Sequence, residues 1–174
     1  ESELIFPGDS GSTEPGDGSR RWGVEMDLFK RLSTKWAADI SASFVKSRFV
    51  GVPESSNHIP NAKGRVIGAG ITWADENGSL SARIRHFGDA ALVEDNTISN
   101  PPTTLLNAKY ERGFNNYVIG LEILNIFDSK DYDVAYFFES QTSPSANPTE
   151  DVHFHPVLPR TYRLTVSYEP WGIL

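Results

Sequence analysis

Apolar and polar residues alternate with a period of two along most of this chain, in eight runs. The first is short, Ser2 to Phe6. In the second, "RRWGVEMDLFKRLS", Trp22, Val24, Met26 and Leu28 share one parity and Gly23, Glu25 and Asp27 the other. "KWAADISASFVKSRF" sets Trp36, Ala38, Ile40, Ala42 and Phe44 against Asp39, Ser41 and Ser43. "GRVIGAGITWA" keeps Ile67, Ala69, Ile71 and Trp73 in phase, and "SLSARIRHF" does the same with Leu80, Ala82 and Ile84. "TLLNAKYER", "YVIGLEILNIF" and "RTYRLTVSYE" complete the set. No segment shows a helical period, so the pattern predicts an all-β, antiparallel protein of about eight half-buried strands.

The connections carry a second pattern. Segments of the type "PGDSGSTEPGDGS", "VGVPESSNHIPNAK" and "GDAALVEDNTISNPPT" are long, as is the stretch from about Val134 to Pro159. "STK", "DENG" and "GFNN" are short. Long and short alternate strictly, which places all long loops at one end of the sheet and all tight turns at the other. An up-and-down transmembrane barrel has this layout, with short periplasmic turns and long extracellular loops. A soluble meander with irregular loops is the plainer alternative. Trp22, Trp36, Trp73, Tyr110, Tyr117, Tyr162 and Tyr168 fall near strand ends in phase with the apolar parity. Amphipathic rings favour a membrane–water boundary there, and the rim of a sandwich core would also accept them.

Composition narrows the classes. The 174 residues suffice for one real core, and hydrophobic types make up 39% of them. No run of about twenty apolar residues exists to form a spanning helix. The net charge of −7 argues against a nucleic-acid partner. With no cysteine, disulfide scaffolds, thiol catalysis and Cys-ligated zinc drop out. The chain starts at Glu1 without a signal peptide, so it is expected to be processed or part of something longer.

Two C-terminal motifs resemble a known family. "LEILNIFDSKDYD", with Asn125, Ile126, Phe127, Asp128 and Tyr132, resembles the Asn-x-Phe-Asp-x-x-Tyr type of signature near the end of TonB-dependent outer-membrane receptors, with one more residue before the tyrosine here. "LPRTYRLTVSY", introduced by Pro159 and Arg160, resembles that family's last strand. "TLLNAKYERGFNNYVIGLEILNIFD" and "GSLSARIRHFG" fit the strands before it, and the likeness is strongest from about Ser79 to Tyr168. The resemblance implies that residues 1–174 are the C-terminal segment of a larger, plugged barrel in a bacterial outer membrane. The expected partners are outer-membrane lipid, the remaining barrel strands, a plug domain outside this chain, and TonB through that N-terminal part. The implied function is active uptake of a small-molecule metal chelate such as a ferric siderophore, with no catalytic residue and no cofactor. One departure stands out: Tyr168 is followed by "EPWGIL", whereas the family's final strand usually ends on a C-terminal aromatic. Pro170 cannot donate to a ladder, and the nearest aromatic to the end is Trp171.

Chemistry-bearing residues are few. Arg83 and Arg85 project on the polar parity, the lumen side of a barrel, and could attract an anionic chelate. Pairing of Arg83, Arg85 or Arg163 with Glu122 or Asp39 is the plainer expectation. His153 and His155 lie near Glu150 and Asp151 and could hold a metal, or be ordinary loop histidines. No spacing here identifies a resident metal site. "GDSGST" lacks the His and Asp context of a nucleophile and reads as loop chemistry. Two alternatives stay open. One is a self-contained eight-stranded outer-membrane barrel with a structural or adhesion role. The other is a soluble ligand-binding barrel.

Overall fold

The computed structural model describes residues 2–5, 13–141 and 143–168. The strands are β1 (Ser2–Ile5), β2 (Glu14–Arg31), β3 (Trp36–Phe49), β4 (Arg65–Asp75), β5 (Gly78–Phe87), β6 (Ala90–Ala91) and β7 (Ser99–Asn100). They continue as β8 (Thr103–Phe114), β9 (Tyr117–Leu124), β10 (Tyr132–Ser140), β11 (Thr149–Pro156) and β12 (Thr161–Tyr168). One antiparallel sheet of eight strands runs in the order β1-β2-β3-β4-β5-β8-β9-β12. These eight correspond one to one with the eight alternating runs. The only helical element among the described residues is a 3-10 turn at Glu54–Ser56, and no helix is long and apolar enough to cross a membrane.

Register joins the alternating runs into two continuous faces. Leu28 faces Ile40, Ile40 faces Ala69, Ala69 faces Ile84, and Ile84 faces Leu106. Nearer the turns, Trp36 faces Trp73, Trp73 faces Leu80, Leu80 faces Tyr110, and Tyr110 faces Leu121 opposite Leu164. Because side-chain period is two, every one of these residues lies on the same side. Large apolar side chains on this face stand open: Trp22 is 65% exposed, Val24 67% and Leu164 66%. A face of this breadth, uncovered by any layer of the described chain, is far larger than the patches soluble proteins tolerate.

The aromatic residues mark two levels on that face. Trp36, Trp73, Tyr110, Tyr117 and Tyr168 gather toward the short turns, where the Tyr117 and Tyr168 rings lie 5.0 Å apart. Trp22, Phe44 and Tyr162 lie toward the long loops. From Trp36 to Phe44 the chain travels about 27 Å, which a strand tilt of about 40° would reduce to about 21 Å, within the roughly 25 Å apolar band of a transmembrane barrel.

The short connections are residues 32–35, 76–77 and 115–116, and all other connections in the sheet are long. The long loops are more ordered than their composition predicts. The stretch from Val134 to Pro159, expected as a loop, contains the hairpin β10–β11, paired from Tyr132 opposite Pro156 to Ser140 opposite Thr149. Polar tips and scattered Pro hid its short alternation. The loop of residues 88–102 carries the small pair β6–β7. Backbone bonds His58 N–H to the Glu94 carbonyl (3.0 Å) and Asn61 N–H to the Ala91 carbonyl (2.8 Å) tie neighbouring loops together. The few buried apolar residues, among them Phe49, Ile59, Ala90, Ala91, Leu92, Ala135 and Val157, sit at this end. The compact core of this chain is therefore under its loops, while its sheet is open on both faces.

Two boundaries differ from expectation. β2 begins at Glu14, inside the stretch expected as a loop, and forms an 18-residue strand. β9 ends at Leu124 rather than Phe127, because Asn125 (φ 50°) and Asp128 (φ 54°) take the left-handed conformation. The "EPWGIL" tail and most of "GDSGST" lie outside the described residues.

Candidate functional site

The family-type motif folds into a hydrogen-bonded junction at the long-loop end. Asn125 is 3% exposed, and its left-handed backbone suits a short side chain that can bond locally. Its Nδ2 donates to the Ser129 carbonyl (3.0 Å) and to the Leu158 carbonyl (2.8 Å), and its Oδ1 accepts the Ser129 N–H (3.0 Å). Its own N–H donates to Asn107 Oδ1 on β8 (2.9 Å). Asp128 Oδ1 accepts the Arg160 N–H (3.1 Å), and Arg160 Nε donates to the Ile126 carbonyl (3.0 Å). The Ser129 hydroxyl closes the network on the Thr104 carbonyl (2.9 Å). Asn125, Asp128 and Arg160 thus fasten β8, β9 and the entry to β12, with Pro159 leading into it. Phe127 projects outward, 54% exposed, and Tyr132 stacks on Phe154 at 3.9 Å. The sequence places these residues in a motif, and the fold makes them a fastener.

The polar face carries the arginines. Arg83 Nη2 donates to Asp39 Oδ1 at 2.7 Å, reaching across β4. Gly70 lies between them in register, and a Cβ there would sit 2.7 Å from both the Arg83 Nη2 and the Asp39 Oδ1. The glycine clears the way for the ion pair. Arg163 Nη1 pairs with Glu122 Oε2 at 2.7 Å, and Glu122 faces Lys109 on its other side. Arg85 faces Gly68 and is exposed, with no ion pair among the described residues. The two arginines expected together therefore differ: Arg83 is spent on Asp39, and Arg85 faces the open side.

The histidines do not converge. His153 stacks on Phe138 at 3.9 Å, and its Nε2 is buried without a partner. His155 Nδ1 lies 3.7 Å from Asp133 Oδ2, both side chains well exposed. Among the described residues no group of three or more His, Cys, Asp or Glu could hold a metal ion. Sequence reasoning missed Asn107, whose side chain completes the junction. Its signal is weak, since it is one polar residue on a polar parity.

Two loop groups titrate away from their ordinary range. The Thr97 hydroxyl and backbone N–H hold the Asp95 carboxyl below it. Burial lowers Lys63, while Asp133 and Asp89 oppose that shift.

This sheet, with its long loops at one end and a single open apolar face, has the fold of a section of antiparallel β-barrel wall. Particular solved structures carry the same fold. The ferric-catecholate import receptor Fiu of E. coli K12, in its closed form, superposes with a TM-score of 0.67 at 19% identity, over 95% of this chain and 23% of that one. BauA, the ferric preacinetobactin receptor of Acinetobacter baumannii, gives 0.61 at 21% identity, over 97% and 25%. The copper transporter OprC gives 0.67 at 16% identity, over 90% and 25%. The chain thus spans about a quarter of the length of the receptors it matches. No protein-family profile matches the sequence, and neither does any curated protein sequence.

Proposed function

We propose that this chain supplies wall strands and extracellular loops to a TonB-dependent receptor in a bacterial outer membrane. The receptor would take up a scarce small-molecule chelate, with a ferric siderophore as the leading class, and perform no catalysis. The observation that carries this reading is the apolar face, kept in register across the sheet and open to its surroundings. The two sheet edges support it further. β1 and β12 do not pair with each other among the described residues, so each presents unsatisfied backbone groups. In hydrocarbon such edges must be closed by further strands, which favours a larger barrel over a self-contained one. A plug and a TonB-contacting segment would come from outside this chain. Arg85 and the hairpin β10–β11 are the nearest candidates for contact with an incoming anionic chelate.

The test is uptake of radioiron-labelled ferric enterobactin and ferric citrate by cells with and without the full receptor, in TonB-positive and TonB-negative backgrounds. Uptake of either that needs both the receptor and TonB supports the reading. Recovery of the receptor in the soluble fraction sinks it.

A further inference from the structure

The base of the hairpin β10–β11 closes a cleft against the sheet. The cleft is lined by Phe87 and Leu105 of the sheet, by Lys63 of the loop of residues 50–64, and by Tyr132, Asp133 and Val157 at the two ends of the hairpin. Phe87 lies two residues beyond Arg85, and Leu105 is the register partner of Arg85. Both therefore carry the polar parity, opposite to Ile84 and Leu106. The hairpin base thus leans over the face that bears the ion pairs, away from the open apolar face. Thr103 Oγ1, on the same parity, donates to the Tyr132 carbonyl at 3.3 Å.

Within this cleft Lys63 is half-buried, and burial works against its charge. Asp133 on β10 and Asp89 on the loop of residues 88–102 both act on the ammonium through space, and neither closes to ion-pair distance. Asp133 is shared, since His155 Nδ1 lies 3.7 Å from its Oδ2. Lys63 therefore sits where three loops meet, with one carboxylate from each of the other two. In a partly dry cleft such charges reach further than they do in water. The rest of the hairpin's seat is poor. β10 packs on β7, where Asn100 is 1% exposed with both amide atoms unpaired. A buried amide without partners is costly, so that contact holds the hairpin weakly.

We propose that the hairpin β10–β11 is a strap, folded inward over the polar face and latched there by the charge of Lys63 acting on Asp89 and Asp133. The latch is releasable because it holds without a direct ion pair and because the seat on β7 is not fully satisfied. Loss of the ammonium, or of both carboxylates, frees the strap while the sheet stays intact. In the latched position the strap narrows the approach to the polar face beside Arg85, and its release widens it. That this face is a transport lumen rests on the reading above. The latch itself does not, since it lies between loops of this chain.

The experiment uses the full receptor in detergent, spin-labelled through Glu54→Cys and Thr149→Cys, two exposed positions on the loop of residues 50–64 and on β11. Distances between the labels are read by pulsed electron spin resonance. The parent should give one narrow distribution. Lys63→Met keeps a long unbranched side chain and removes the charge, and it should move the main population to longer and broader distances. Asp89→Asn combined with Asp133→Asn should do the same. Lys63→Arg should keep the parent distribution, and so should Lys130→Met, which removes an exposed cation outside the cleft. An unchanged distribution in Lys63→Met would overturn the latch. So would a Lys63→Arg variant as disturbed as Lys63→Met, because packing rather than charge would then hold the strap. If Lys63→Met does not fold, the double carboxylate variant decides in its place, and an unchanged distribution there overturns the latch. Recovery of the receptor in the soluble fraction, with these distance changes intact, would sink only the transport reading.

Discussion

At the scale of single residues, the clearest case is Asn125. It satisfies two carbonyls and one N–H from a buried position while holding a left-handed backbone. Asn125→Ala leaves those groups unpaired and should destabilise the folded receptor by about 2–3 kcal/mol, read as a lower urea midpoint for barrel unfolding. Gly70 makes a complementary prediction. Gly70→Val puts side-chain atoms where Asp39 and Arg83 now meet, so the ion pair must break or the strand must shift. The unfolding midpoint should fall, and Asp39→Ala should then cost less in the Gly70→Val background than in the parent. Additive effects of the two changes would count against this coupling.

Asp95 adds a pH signature to the loop it stabilises. Its carboxyl is held below the ordinary range by the Thr97 hydroxyl and N–H. A depressed acid contributes stability that is present above the unfolded value near about 3.9 and is lost as pH falls through the lower folded value. Protection of the Thr97 N–H against hydrogen exchange should therefore persist to pH values below about 3.9, and Asp95→Asn should remove that acid dependence.

At the scale of elements, each strand's two parities meet different surroundings. Ile84 on β5 faces Ala69 and Leu106 near the middle of the apolar face. Ile84→Arg should cost roughly 2–4 kcal/mol of barrel stability in lipid. Ser81, three residues away on the polar parity, faces Thr72 and Lys109. Ser81→Arg should be mild in a wide lumen. Equal penalties at the two positions would argue for a narrow, filled interior instead. The hairpin β10–β11 shows what element-level sequence reading loses. Its apolar residues Val134, Tyr136 and Phe138 do alternate, but the run is interrupted by a bulge after Tyr132 and followed by a Ser/Pro/Asn-rich tip. Such a tip satisfies the rules for a loop, and only the pairing with β11 shows otherwise.

At the scale of the whole molecule, the prediction concerns size. A sheet whose edge strands β1 and β12 have no further partner among the described residues is expected to need neighbouring strands, and the solved proteins of this fold are about four times longer. Outer membranes extracted in detergent and run on a denaturing gel should show a band well above 19.3 kDa with an antibody to the β10–β11 tip. A band near 19.3 kDa would instead require a partner chain to close the wall.

The sequence by itself determined the eight runs behind the strands of the main sheet, the two parities along the seven longer ones, and the placement of long loops at one end. Those follow from a strict period of two and from connection lengths, which are local properties. It also supplied Asp39 and Glu122 as partners for the arginines, because charges on one parity of adjacent strands can meet. Only the tertiary structure decided which of Arg83 and Arg85 is paired, since that depends on register and on the space left by Gly70. Only the structure turned Asn125, Asp128 and Arg160 into one junction, because its bonds join residues separated by up to 34 positions.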